Sequence, residues 1–159
     1  MPNHIESFIG WKIMEVVYRR LCEIQRARGY NTDPLVSMDW PEVQNTDKSF
    51  SLFLECIGHH AVEHAVGGNL GPRVTMALEL MICGYVQYDT GVPRKMAMSL
   101  EQDAREAVHA IATQFNTLIG RGVSFAWGDC THDGGALSPE KEANFTLLCT
   151  FTYQQSAGW

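Results

Sequence analysis

The segment His60-Ala61-Val62-Glu63-His64 has the residue types and the order for metal chemistry. In an H-x-x-E-H pattern, two imidazoles one helical turn apart hold Zn²⁺ and the glutamate between them acts as a base. His59 adds another imidazole, and Glu140 or Glu142 downstream could supply a third ligand. That chemistry needs a helix. Here the segment lies between Gly58 and Gly67, and an isolated helix of that length is marginal in water. The expectation is therefore a polar, histidine-rich loop with no resident metal. His60, Glu63 and His64 are the residues to test if a small metal-dependent hydrolase is considered.

Other constellations are weaker. His132 stands beside Asp129, Cys130 and Asp133, but neighbours this close in a Gly-rich loop rarely reach base–nucleophile geometry. Gly67-Gly68-Asn69-Leu70-Gly71 resembles a phosphate cradle only loosely. It has no following Lys-Ser/Thr, and a strand rather than a helix comes after it. Arg19-Arg20 and Arg94-Lys95 are isolated basic pairs, read as solvated. Trp11, Trp40, Trp127 and Trp159 read as core or interface anchors. No catalytic cluster and no cofactor motif emerges, and no enzymatic activity is expected.

Composition narrows the classes further. The chain has 159 residues, 45% of them hydrophobic and 19% charged, which fits one globular domain and excludes wholesale disorder. A net charge of −6 argues against a dedicated nucleic-acid binder, which would carry a basic face. No apolar run approaches the roughly 20 residues of a membrane helix. The start, Met1-Pro2-Asn3-His4-Ile5-Glu6, has no basic leader pattern, so no secretion signal is expected. Five cysteines without a C-x-x-C pair read as reduced thiols of a cytosolic setting.

The elements that must position these residues follow from periodicity. Ile5, Ile9, Ile13, Val17, Leu21 and Ile24 recur at steps of three or four, which predicts a helix over 5–28 closed by Gly29. Residues 30–49 read as irregular, with a turn at Asn31-Thr32-Asp33-Pro34 and a brief extended piece at Leu35 to Met38. Phe50–Ile57 and Arg73–Tyr88 alternate as strands, the second with Gly84 as a possible bulge. Ser99 with Gln102 suggests a capping box opening a helix over 99–119, with Glu101 and Asp103 favouring its positive end. Val123, Phe125 and Trp127 begin a strand, and Asn144 to Tyr153 form the last. The expected fold is α+β: a mostly antiparallel four-stranded sheet with two amphipathic helices packed on one face. Long loops are expected at 30–49, 58–72 and 128–142.

Loops of that length are usually functional or disordered. An open sheet also leaves two edges that must be covered. Edges and loops without a catalytic cluster point to an assembly subunit whose head-to-tail contacts close into a ring.

This order of elements resembles the tail terminator, or tail-completion, proteins of long-tailed bacteriophages. The resemblance rests on the opening amphipathic helix, the segment Arg28-Gly29-Tyr30-Asn31-Thr32-Asp33, the strands Phe50–Ile57 and Arg73–Tyr88, and the helix Ser99–Ile119. It also rests on the aromatic last strand Glu142-Ala143-Asn144-Phe145-Thr146-Leu147-Leu148-Cys149-Thr150-Phe151-Thr152-Tyr153. It covers most of the chain and has no counterpart for the loop Gly58–Pro72. It implies a virion protein, assembled in the host cytoplasm, of which six copies form a ring on the head-proximal end of the tail tube. Its implied partners are itself, the major tail tube protein and the head–tail connector or stopper protein. DNA would pass through without specific binding, which suits an acidic conduit. A head–tail joining role in the same particle is the neighbouring alternative. From loop position, the expected assembly contacts are Arg94, Lys95, Asp129, Asp133, Glu140 and Lys141, with no catalytic, cofactor or metal residues.

Overall fold

The computed structural model describes residues 9–38, 50–68, 71–87, 92–115, 122–133 and 142–156, with side chains placed outside 63–73 and 156. The first helix, α1 (Ile9–Cys22), buries Ile9, Ile13, Val17 and Leu21. Steps of four put these on one stripe, and that stripe seats the helix on the sheet. The helix ends at Cys22 instead of Arg28. The Glu23 and Ile24 amides turn back onto the carbonyls of Arg20 and Leu21. The Asp33 carboxylate then accepts the Arg26 amide at 2.7 Å and starts a separate 3-10 turn, Arg26–Arg28. Gly29 closes that turn at φ 93°, in the left-handed region that favours glycine.

Among the described residues the sheet has five strands: β1 (Leu35–Ser37), β2 (Phe50–Gly68), β3 (Gly71–Gln87), β4 (Val123–Asp133) and β5 (Glu142–Ser156). Their spatial order is β1-β2-β3-β5-β4. β1 pairs parallel with β2 at Leu35–Ser37 against Ser51–Phe53, and every other pair is antiparallel. The second helix, α2 (Pro93–Ala112), connects β3 to β4.

One face of the sheet carries the core. Leu52 sits opposite Gly84 and Gly84 opposite Phe145; Leu54, Ile82 and Leu147 form the next row. Leu78 faces Phe151, and Met76 faces Tyr153. These residues share one buried cluster with Ile13, Val17 and Leu21 of α1 and with Leu100, Ala104 and Val108 of α2. Both helices therefore lie on the same face of an α+β sheet. Phe115 and Phe125 pack edge-to-face and tilted on Phe151, with ring centroids 4.9 and 5.0 Å away.

Several expectations change. The sheet has five strands rather than four, and it is mixed, because Leu35–Ser37 pairs in parallel. In the expected loop over 58–72, residues up to Gly68 belong to β2 and those from Gly71 to β3, paired antiparallel, while 69 and 70 lie outside the described residues. The expected loop from 128 onward begins as strand, since β4 runs to Asp133. Gly84 is not a bulge, because its register with Leu52 is regular. It makes room instead: a Cβ there would lie 2.0 Å from the Phe145 ring.

α2 begins at Pro93 rather than Ser99. Proline is favoured in a first turn, where its missing N–H costs nothing. Ser99 is thus inside the helix, where its hydroxyl donates back to the Lys95 carbonyl at 3.1 Å. Asp103, far from the helix start, anchors another segment. Its buried carboxylate accepts the Asn31 amide at 3.0 Å, Asn31 Nδ2 at 2.9 Å and the Thr32 hydroxyl at 2.6 Å.

β2 carries irregularities that periodicity missed. Its register against β3 shifts between Cys56 and Gly58, between Ala61 and Glu63, and between Ala65 and Gly68. Ile57 and Val62 are the surplus residues at the first two bulges, and they are 48% and 53% exposed. A bulge places two residues against one and increases local twist.

Candidate functional site

Chemistry-bearing side chains gather where α2 crosses β4. Val123, Phe125 and Trp127 pair with Tyr153, Phe151 and Cys149 on the core face. A bulge between Trp127 and Cys130 then shifts the alternation, so that Cys130 and His132 pair with Leu147 and Phe145, also core positions. Without that extra residue both would point to the other face. The imidazole of His132 lies tilted on the Phe145 ring at 5.6 Å between centroids.

Glu101 on α2 reaches this pair. Its Oε1 lies 2.5 Å from His132 Nε2, and its Oε2 accepts Arg105 Nε at 2.7 Å. The Arg105 guanidinium sits 5.0 Å over the Trp127 ring, a cation–π placement. The carboxylate is thus held from both sides, and its cationic partner rests on an aromatic platform.

The electrostatics of the group are mutual. Burial pushes the Cys130 thiol up to about 11, and the Glu101 charge and a hydrogen bond to it add to the effect against the opposing Arg105. At neutral pH the sulfur therefore keeps its proton, the opposite of what a thiolate nucleophile requires. Burial alone would raise the Glu101 carboxyl. Hydrogen bonds from His132 and Arg105, with the Arg105 charge, outweigh it and hold the group below its ordinary value of 4.5.

A carboxyl lowered on folding contributes stability that is present above its unfolded value and lost as pH falls through the folded one. The melting temperature of the protein should therefore fall as pH drops from about 5 to about 3, and Glu101→Gln should flatten part of that slope. Melting curves at half-unit pH steps read this directly. Identical slopes for the two proteins would contradict the assignment.

A second polar contact lies beneath α1, between two strands of the sheet. His59 Nε2 lies 2.5 Å from the Tyr153 hydroxyl. Gly10 of α1 approaches closely, since a Cβ there would fall 2.9 Å from the His59 ring. Burial, then the neighbouring His60, lowers the His59 value, so the ring is neutral at physiological pH. Gly10 thus lets α1 come close to the His59 ring.

The H-x-x-E-H segment does not form a helical turn, because all of it belongs to β2. His60 is exposed and in register with Ala77, on the face away from the helices. Glu63 is in register with Thr75 and His64 with Val74, a core position. The bulge at Val62 places the two histidines at register positions on opposite faces, so the arrangement that recommended them is not the one present.

Among the expected assembly residues, Arg94 and Lys95 are exposed in the first turn of α2. They border a shallow groove with Val92, Met98, Glu101 and Arg105. Asp129 is exposed at the β4 bulge, and Asp133 is half-buried at the end of β4. Glu140 and Lys141 lie outside the described residues. Glu101 and Arg105 were absent from the sequence-based candidates. Their four-residue spacing on a helix was the legible signal; their meeting with His132 required the fold. The five cysteines are free thiols, with Cys83 and Cys149 buried. Among the described residues no helix is long and apolar enough to cross a membrane.

No protein-family model and no curated protein matches the chain. Among solved structures, it is similar to the sheath/tube terminator of an extracellular contractile injection system (PVC) in its extended state, with 13% sequence identity and a TM-score of 0.36. The likeness covers 91% of this chain and 58% of that one, so the chain spans less than two thirds of that protein's length.

Proposed function

We propose that this protein is a structural tail terminator of a phage-type particle: copies form a ring on the head-proximal end of the tail tube. The ring ends tube growth and offers its other side to the head connector. On this reading the chain performs no catalysis, DNA passes through the ring, and the protein resides in the virion. The particular ring size, six, comes from the family resemblance of the sequence.

The observation that supports the reading is that, among the described residues, no strand continues the sheet beyond two unlike edges. β1 covers β2 only at Ser51–Phe53, so from Leu54 onward β2 has no described strand on the side away from β3. At the opposite edge, β4 extends for 11 residues with no described strand beyond. Long open edges invite pairing with another chain. Two different edges on one subunit suit a head-to-tail contact, and such contacts close into a ring when the rotation permits. Ile57 and Val62, exposed on the β2 edge, supply apolar anchors. Arg94 and Lys95, with Asp129 and Asp133, and Glu140 and Lys141 in the sequence, supply charges of both signs. Such charges steer docking and fix its register more than they add affinity.

The test is the particle without the protein. Negative-stain images should show tails of uncontrolled length, restored to one length by the wild-type chain supplied in trans. Complementation by a chain carrying Arg94→Glu and Lys95→Glu should restore fewer finished tails. Tails of normal length that fail to join heads would instead assign the joining role.

A further inference from the structure

Three side chains from two elements converge at the α2–β4 crossing: the ligand atoms of Glu101, Cys130 and His132 all lie within 4.8 Å of one another. We infer that these residues bind a divalent cation of the zinc type, clamping the edge strand β4 to α2. The donor set suits that ion, because thiolate and imidazole select borderline-soft metals over magnesium or calcium. The spacing suits it as well. In a tetrahedral site with bonds of about 2.0–2.3 Å, neighbouring ligand atoms stand about 3.3–3.6 Å apart. The Glu101–His132 pair, at 2.5 Å, needs to open by about 0.8–1.1 Å to admit the ion.

The surroundings are those of a built site. Cys130 and His132 occupy alternate positions on one face of a paired strand, which fixes their separation. The side chains of Glu101 and His132 are only 18% and 24% exposed. Arg105 holds the second oxygen of Glu101, and Trp127 holds Arg105. Outer partners of this kind orient a ligating carboxylate. On binding, the Cys130 thiol releases its proton to solvent, and the resulting thiolate, with the Glu101 carboxylate, neutralises the ion. Three protein ligands leave the fourth position to water.

The experiment is a Co(II) titration of the full-length, tag-free chain after chelator treatment, cobalt serving as a spectroscopic stand-in for zinc. The expected result is a near-ultraviolet thiolate-to-cobalt charge-transfer band that saturates at one equivalent and disappears when zinc is added. Cys130→Ser should abolish the band. Arg105→Gln, which leaves all three ligands in place, should weaken cobalt binding by about tenfold or more. A metal held only by the β2 histidines would give no thiolate band. Absence of the band at saturating Co(II), or its survival in Cys130→Ser, overturns the assignment. The first measurement uses the unsubstituted protein, so absence of the band there overturns the assignment even if a variant fails to fold.

Discussion

Gly84→Ala should lower stability by about 3 kcal/mol, the upper end of the usual cost of overpacking a core. For a chain of this length that is a fall of roughly 6–12 °C in melting temperature. The cause is steric. The new methyl group would lie 2.0, 2.4 and 2.7 Å from three carbons of the Phe145 ring. Phe145 has no room to retreat, because it is 1% exposed and has the His132 imidazole against it. A second substitution tests the mechanism. Phe145→Leu alone should cost about 1–2 kcal/mol through lost packing. In the Gly84→Ala background it removes the clash, so the double variant should be more stable than the two single costs imply. Strict additivity in a thermal-melt cycle would show that the loss has another origin.

Asp103→Ala should cost a similar amount, about 3 kcal/mol or roughly 6–12 °C. Three hydrogen bonds to one buried carboxylate would vanish together. The Thr32 hydroxyl, 1% exposed, would be left buried without its acceptor. Asp103→Asn separates charge from shape. It fits the same space and keeps one acceptor oxygen, so it should lose about 1–2 kcal/mol. Chemical denaturation of the three proteins ranks them, and an alanine variant no worse than the asparagine one would refute the network's role. The contact joins the middle of α2 to the turn before β1, so its loss should also loosen that short parallel strand.

These two positions show how far the sequence could be read. The helices and the alternating strands were legible because each has one apolar face with a single period. Ile9, Ile13, Val17 and Leu21 fall on one stripe, and Leu78, Leu80 and Ile82 on one face. The expected helix start at Ser99 failed because a Ser-x-x-Gln pair matches a capping box anywhere in a helix, whereas Pro93 marks a first turn. Gly84 was legible as unusual but not as a recess for Phe145, since the two residues meet only through the β3–β5 register.

The hairpin was lost for a different reason. The β2 residues in register with the core row of β3 are even-numbered through Cys56, odd at His59 and Ala61, and even again at His64. Two changes of parity within ten residues erase the period-two signal, and the histidines and glycines then read as a loop. The same effect hid the Glu101–Cys130–His132 group. Trp127 and Cys130 share a face only because a residue is inserted between them, and their helical partner lies far away in the sequence.

The surplus residues of the hairpin all belong to one rail: β2 spends 19 residues alongside a shorter stretch of β3. Each insertion adds right-handed twist, so the increments share a sign and accumulate. The described part of the ribbon should therefore twist more strongly than a regular hairpin of the same length. A neighbour pairing along that edge would follow the same rotation, set by the spacing of the insertions.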